Sequence, residues 1–349
     1  MRVYNKLIVI LMVISIAVIF TSCSGMLYTT IDVLRPAKVN FPKDINDVLI
    51  VNNSVPQPST YGHKTELLSE KAKNVTINTD SLSFYALSSF SEAMLDKEFF
   101  GSLNVEYDSQ NNSGDFFSVT LSKPSTIQSL AKKYGADGII ILNRMIVQDK
   151  LGEFFNEETS SFIAYIEAQY EYNWTINFPA KNHIFSLITK DTVYWESEAY
   201  SRKNAISSLP DRKIALIDGA IISGKRAVNQ FIPYWDQEDR YFFTIPGKKF
   251  KNGLDSVYVK NWESAINDWE KMIDSPPTKK AMILHNLSVL YEIEGNIKKA
   301  YEYSNKALIS VLESLIFDYK NYSFIFEQNE NLQKRVKEEE LLKKQLGEN

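Results

Sequence analysis

Cysteine is nearly missing from this sequence. Cys23 is the single one in 349 residues, which excludes an intramolecular disulfide. Histidine is scarce as well. His63, His183 and His285 form no HExxH or i,i+4 pair, so no metal site is expected. There is no GxSxG elbow and no SxxK, and Gly135 and Gly138 do not make a GxGxxG loop. No catalytic residue and no cofactor is therefore expected. Neither sign of charge dominates. The 39 Lys and Arg against 43 Asp and Glu leave a net of −4 without a basic stripe, which argues against a nucleic-acid partner. No apolar run reaches the ~20 residues that cross a bilayer. Aromatic side chains, by contrast, are plentiful, with 19 Tyr and 20 Phe, and they pack well on the pleated face of a half-buried sheet.

The start of the chain has its own pattern. Arg2 and Lys6 precede an apolar stretch, Leu7 to Phe20, interrupted only by Ser15, and small residues follow up to Cys23. The junction Thr21-Ser22-Cys23-Ser24-Gly25 resembles the lipobox of bacterial lipoproteins, departing from it at Phe20, where Leu is commoner. The resemblance implies a signal peptide over 1–22, lipidation at Cys23 and a membrane tether over 23–40. An uncleaved anchor helix is the alternative. Surface-exposed lipoproteins of the Bacteroidetes group often carry acidic residues just after the cysteine, and here none occurs between Cys23 and Asp32, so the resemblance implies an outer-membrane anchor facing the periplasm over a surface-exposed one.

The expected fold class is α+β. A mixed α/β, sandwich-like domain with an antiparallel meander over 41–245 is followed by a short helical module over 255–327. Asp47 to Asn52 reads as a buried strand, Ser81 to Phe99 as a helix, and Leu103 to Tyr107 as a second strand. Lys123 to Leu142 reads as a helix capped by Ser125 and stopped at Gly135, leading into a strand over Gly138–Val147. This Gly-Ala-Asp-Gly step resembles the small envelope domains of TolB N-terminal and CsgG-like lipoproteins. From Phe162 to Phe178 apolar and polar residues alternate, predicting one dry and one wet face over about 57 Å and hence a bend or bulge. A hairpin turning at Lys190-Asp191 is expected next, then a helix over Asp211–Phe231 with Ile214, Ile217, Ile221 and Val228 inward. Glu167 and Glu171 share the wet face. At ~13 Å apart they exceed the spacing of glycosidase carboxylates, so a solvated face is the simpler reading. The segment Pro233 to Tyr241 reads as a cap over the core or a binding rim.

Leu284, Leu287, Ser288, Tyr291, Gly295, Ala300, Ser304 and Ala307 resemble a tetratricopeptide repeat, and Asn261 to Pro277 resembles the second helix of an earlier one. No first helix is evident in Lys248 to Lys260. A capping helix over Ser310–Glu327 and a charged helical or disordered tail over 328–349 complete the expectation. The resemblance implies a protein or peptide partner, with Trp262, Trp269, Tyr291, Tyr234 and Trp235 as candidate binding residues. Taken whole, the chain is similar to an uncharacterised Bacteroidetes lipoprotein family. A non-enzymatic, membrane-anchored binding scaffold is the leading expectation. A carbohydrate-handling hydrolase using Glu167, Glu171 and Trp174, or a nutrient-binding surface lipoprotein, is the alternative.

Overall fold

Val48–Val51 and Ile139–Leu142 are uninterrupted apolar runs, the pattern of parallel strands buried on both faces. In the computed structural model, which describes residues 26–347 apart from 69, 109–113, 182 and 315–318, they lie side by side in β2 (Asp47–Asn52) and the first part of β6 (Gly138–Asn156). The expected signal peptide and Cys23 fall outside the described residues. β5 (Ser102–Glu106) runs parallel to β2 on its other side. Val48, Ile50, Ile140 and Leu142 face the main core together with α1 (Leu82–Leu95) and α4 (Arg212–Ala227). Leu49, Val51, Ile139 and Ile141 face a smaller core against α2 (Pro124–Tyr134). β3 (His63–Glu66), with its short partner β4 (Lys73–Asn74), pairs parallel with the far end of β6. β7 (Ser161–Phe178) and β8 (His183–Ala199) continue antiparallel, making seven strands in one sheet, and the short α3 (Arg202–Ser208) follows β8. These elements belong to a unit over Ala37–Pro233.

The register between β6 and β7 shifts at Asn143, which lies between Leu142 and Arg144 and has no cross-strand partner. One extra residue inverts the facing of everything beyond it. The inward set accordingly changes from Ile140 and Leu142 to Met145, Val147 and Asp149. Asn143 itself donates to the Thr175 hydroxyl at 2.5 Å. The irregularity expected in the long alternating strand thus sits in its neighbour, and it turns Gln148 and Lys150 to the wet face.

Several expectations are corrected here. The hairpin at Lys190-Asp191 is absent: β8 runs straight through it, and the reversal is at Pro179–Lys181. Lys190 pairs with Glu171 at 2.8 Å and Asp191 with Arg226 at 3.3 Å, so both charges are satisfied in mid-strand. Ile214 does not point inward but is 55% exposed. The buried face of α4 is instead Ala215, Leu216, Gly219, Ala220, Ser223, Gly224 and Ala227. Small residues let this helix approach closely. A Cβ at Gly219 would overlap the Tyr170 hydroxyl, which donates to Leu216 O at 2.9 Å. Ser125 is not the cap of α2. Lys123 holds that place ahead of Pro124, while Gly135 ends the helix in the left-handed conformation, φ +64°.

The second unit combines the described residues up to Pro36 with those from Tyr234 onward. Residues assigned to a tether form β1 (Met26–Arg35), paired antiparallel along its whole length with β9 (Tyr234–Phe243). Then come α5 (Lys248–Tyr258), α6 (Trp262–Glu270), α7 (Pro277–Ile293), α8 (Ile297–Leu312) and α9 (Tyr319–Leu346). The mixed α/β sheet region is therefore followed by a C-terminal helical region. α5 was hidden because Gly253 weakens the helical signal. It is there for contact: a Cβ would overlap the Trp269 indole, which stacks on Phe250 with ring centroids 5.2 Å apart. α8 runs to Leu312, inside the expected capping helix Ser310–Glu327, and both the later part of that helix from Tyr319 and the expected tail from 328 belong to α9, whose Ile325, Gln328 and Leu332 are buried at helical spacing.

Candidate functional site

Two concave features stand out among the described residues, one in each unit. The first lies on the wet face of the sheet. Register places Lys64 of β3, Lys150 of β6, Glu167 of β7 and Tyr194 of β8 in one row, with Gln148 and Gln169 paired in the next. Gly62, Lys64, Gln148, Asp149, Lys150, Glu167 and Gln169 line a cleft of about 250 Å³, the Asp149 side chain being turned away and fully buried. The Tyr165 ring stacks on Tyr194 at 5.5 Å, and the Lys150 ammonium sits 5.3 Å from the Tyr165 ring centre. The Tyr165 hydroxyl, then the carboxylates of Glu66 and Glu167, hold Lys150 above its ordinary value, although partial burial opposes them. Burial, then Glu196, pushes the Tyr194 hydroxyl up to about 12.

On the opposite face of the same strands lies a buried hydrogen-bonded trio. His63 Nδ1 is 2.5 Å from Asp149 Oδ1, and Arg212 Nε donates to Asp149 Oδ2 at 2.6 Å. Arg212 also donates to Thr65 Oγ1 and Lys64 O. An Asp–His pair is the orienting half of a hydrolytic triad. Here both side chains are fully buried, and the pair joins β3 to β6 and, through Arg212, to the start of α4. The paired-carboxylate reading fails on geometry too. Glu171 is bonded to Lys190, which holds its carboxyl below the ordinary range, and it does not line the cleft. Trp174 is buried on the dry face, its indole N–H donating to Thr189 Oγ1 at 2.9 Å.

The second feature is a groove of about 350 Å³ on the helical unit, lined by Ile273, Lys280, Leu284, Tyr303, Lys306, Ile309, Ser310 and Glu313. Beside it Tyr291 and Tyr303 stack at 5.2 Å, and both hydroxyls donate to Glu270 Oε1, at 2.6 and 2.9 Å. Lys299 caps the pair, 4.0 Å above the Tyr291 ring. The Tyr291 hydrogen bond, then that of Tyr303, lowers the Glu270 carboxyl below its usual range.

The five candidate binding residues do not form one patch. Trp269 is fully buried and is core, which removes it from any binding surface. Tyr291 is buried in the core, and Trp262 is half-buried against the same core. Tyr234 and Trp235 begin β9 opposite Arg35 and Leu34, whereas Phe242, at the other end of that strand, is the residue that meets Trp269. Seven residues of strand are roughly 23 Å. Trp235 is 66% exposed and stands apart from the groove. The sequence reading missed Lys64, Lys150 and Gln148, because only the β6 bulge puts the last two on one face with Glu167. It also missed Lys280, Lys306 and Ile309, which the repeat pattern could have offered as outward positions of its helices.

The fold is thus that of a mixed α/β sheet protein with a helical C-terminal region, and its concave surfaces carry no metal cluster among the described residues. Residues 45–243 match the family described as Domain of unknown function (DUF8603), and since that is more than half of the sequence the chain belongs to it. Residues 251–335 match Domain of unknown function (DUF6340). No curated protein matches this sequence. Among solved structures, an "uncharacterized protein" is similar at 10% identity over 56% of this chain and 98% of its own, with a TM-score of 0.23. A "putative neuraminyllactose-binding hemagglutinin homolog from Helicobacter pylori" is similar at 12% over 54% of this chain and 85% of its own, with a TM-score of 0.25. At such scores the likeness carries no inference.

Proposed function

We propose that this chain is a non-enzymatic envelope lipoprotein, anchored through Cys23, whose helical unit is a tetratricopeptide-like module that binds a peptide segment of a partner protein. The groove against α7 and α8 is the observation that carries the reading. Leu284 forms an apolar floor, Ile309 is an exposed wall, and Lys280 and Lys306 stand at the rim. An extended segment with one apolar side chain followed by an acidic one complements that lining.

The repeat reading is supported by geometry at two corresponding turns. Lys260 and Gly295 both take a left-handed conformation, φ 55° and 78°, and each is followed by an asparagine that caps the next helix. Asn261 accepts from Ser264 N and Asn296 from Lys299 N, both at 3.2 Å. Ala265 and Ala300 then follow, both fully buried. The anchor reading rests on the lipobox resemblance. The described chain begins in β1 only three residues after Cys23, so a lipid there would hold the helical unit within about 10 Å of its attachment point. The outer-membrane, periplasm-facing placement remains part of the same proposal, as does the likeness of the Gly135–Gly138 step to TolB N-terminal and CsgG-like domains.

Photo-crosslinking in intact cells tests the binding role. A crosslinking side chain at Ile309 is expected to give discrete adducts that Lys280→Glu weakens. The same probe at Ile214, equally exposed at 55% on the other unit, is expected to give none of them. Identical adducts from both positions, or none at 309, would refute the reading. Cys23→Ser is expected to release the protein from membranes. Retention on membranes at the unprocessed mass would refute the anchor.

A further inference from the structure

The sheet cleft is independent of the helical groove, and its chemistry is of a different kind. Its walls combine an ammonium, amides, a carboxylate and an aromatic border within neighbouring cross-strand rows. Lys64 is exposed and its ammonium has no bonded partner among the described residues. Lys150 lies 3.8 Å from Glu66, beyond hydrogen-bond length, and the Tyr165 hydroxyl engages one of its three donors, which leaves two for a ligand. Gln169 gives its amide N–H to Glu167 at 2.8 Å, which leaves its carbonyl free to accept. The Gln148 side chain makes no hydrogen bond among the described residues and offers both donor and acceptor. Tyr194, opposite Glu167 in register, presents a ring that is 47% exposed.

Each part selects against some ligands. A cleft of about 250 Å³ is too small for a macromolecular segment of any length, lying below the ~300–1,000 Å³ of drug-sized sites. Ammonium groups at two registered positions disfavour a cation and suit an anionic group. Amides and a carboxylate around that point suit hydroxyls, which both donate and accept. A half-exposed tyrosine ring suits the C–H face of a pyranose. The carboxylate of Asp149 does not enter the balance, since it is turned to the other face and neutralised by Arg212.

We infer that the cleft formed by β3, β6 and β7 binds a monosaccharide-sized polyol carrying one anionic group, the anion on Lys64 and Lys150 and the hydroxyls on Gln148, Gln169 and Glu167. The β6 bulge is what makes the site, because without the inversion at Asn143 Lys150 and Gln148 would point into the core.

Calorimetric titration of the full-length protein with glucuronate, glucose 6-phosphate and glucose tests this. Glucuronate, glucose 6-phosphate or both are expected to bind about tenfold or more tightly than glucose, and which of them does so identifies a carboxylate or a phosphate as the anion. Rising salt is expected to weaken that binding. The double variant Lys64→Gln/Lys150→Gln is expected to erase the preference while leaving the circular dichroism spectrum unchanged. Glu171→Gln, outside the cleft, is expected to leave binding intact. Equal affinity for glucose and both anions, no binding of any of the three, or a preference that survives in a folded double variant would overturn the inference.

Discussion

The sheet unit and the helical unit bury charge in different ways, and the difference follows from how each is held together. In the sheet unit the long strands β6, β7 and β8 share backbone ladders along most of their length, and the buried carboxylates Asp149 and Glu153 of β6 are each paired separately with one arginine, Arg212 and Arg202, with His63 beside Asp149. In the helical unit the main ladder is the β1–β9 ribbon, and side chains must fix its helices. Glu292 of α7 is fully buried and accepts from Arg240 of β9 at 2.7 and 2.8 Å, from Gln328 at 2.7 Å and from Arg335 at 2.6 Å, the last two from α9. Arg35 of β1 pairs with Glu238 and, at 2.6 Å, with Glu338, and Arg240 also pairs with Glu238. Three arginines and three glutamates tie β1, β9, α7 and α9 to one another. A hydrogen-bonded ladder sets register through the backbone. Helices packed on a ribbon have none between them, and a buried, balanced ion network supplies the alignment instead, a role attested for buried polar groups elsewhere.

The largest test of that contrast is Glu292→Gln. It leaves Arg240 and Arg335 without their shared anion and is expected to destabilise the helical unit by about 3–5 kcal/mol. Hydrogen exchange should show the loss in α7 and α9 and not in β6–β8. Equal loss in both units would break the comparison.

Acid is the next test. Burial pushes His285 from 6.5 down to about 4, opposed by its bond to Tyr241 O and by Glu292. The unfolded chain therefore takes up a proton near 6.5 that the folded chain refuses until about 4. Stability contributed by the neutral imidazole is full above 6.5 and is lost as the pH falls through that window, by about 3 kcal/mol. Burial raises the Glu292 carboxyl, but Arg240 and Arg335 lower it further, to a net position below 4.5. Its contribution is kept above 4.5 and lost at still lower pH. Denaturant titrations from pH 7 to 4 should show the helical unit weakening first, with a flatter slope in His285→Gln.

The smallest expected effect is in the sheet unit. Lys190, largely exposed, pairs with Glu171 across β7 and β8. Lys190→Ala should lower stability by about 0–1 kcal/mol, an effect that added salt shrinks further. A larger loss would mean that the ladders need side-chain support after all.

Much of the sheet unit was legible because its signals are apolar and periodic. The Val48–Val51 run, the alternation over 162–178 and the Gly135 stop each follow from one local rule. What failed there was polarity read without its partner. Lys190-Asp191 looks like a turn until Glu171 and Arg226 are known to face it, and α4 hides its inward face because that face is alanine, glycine and serine. In the helical unit the α7–α8 pair was legible from Gly295 and the small residues around it. The inward stripe of α9 was not, since two of its members, Gln328 and Arg335, are polar and make sense only against Glu292, which is 36 and 43 positions away. The cleft was illegible for a similar reason. Lys64 and Lys150 meet through a parallel pairing and a bulge that leave no mark in the local pattern.

The β1–β9 ribbon also dictates how the chain is threaded. Arg35 lies opposite Tyr234, and Lys38 N bonds to Gln230 O, so the chain departs for the sheet unit and returns from it through adjacent points. The 37–233 segment is an insertion into a loop of the other unit, joined to it by two neighbouring crossings. A shortcut from Arg35 to Tyr234 would need only a tight reverse turn, so the sheet unit is removable in principle as a cassette. A fragment starting after Pro36, by contrast, would strip β9 of its partner and leave a bare strand edge open to foreign pairing.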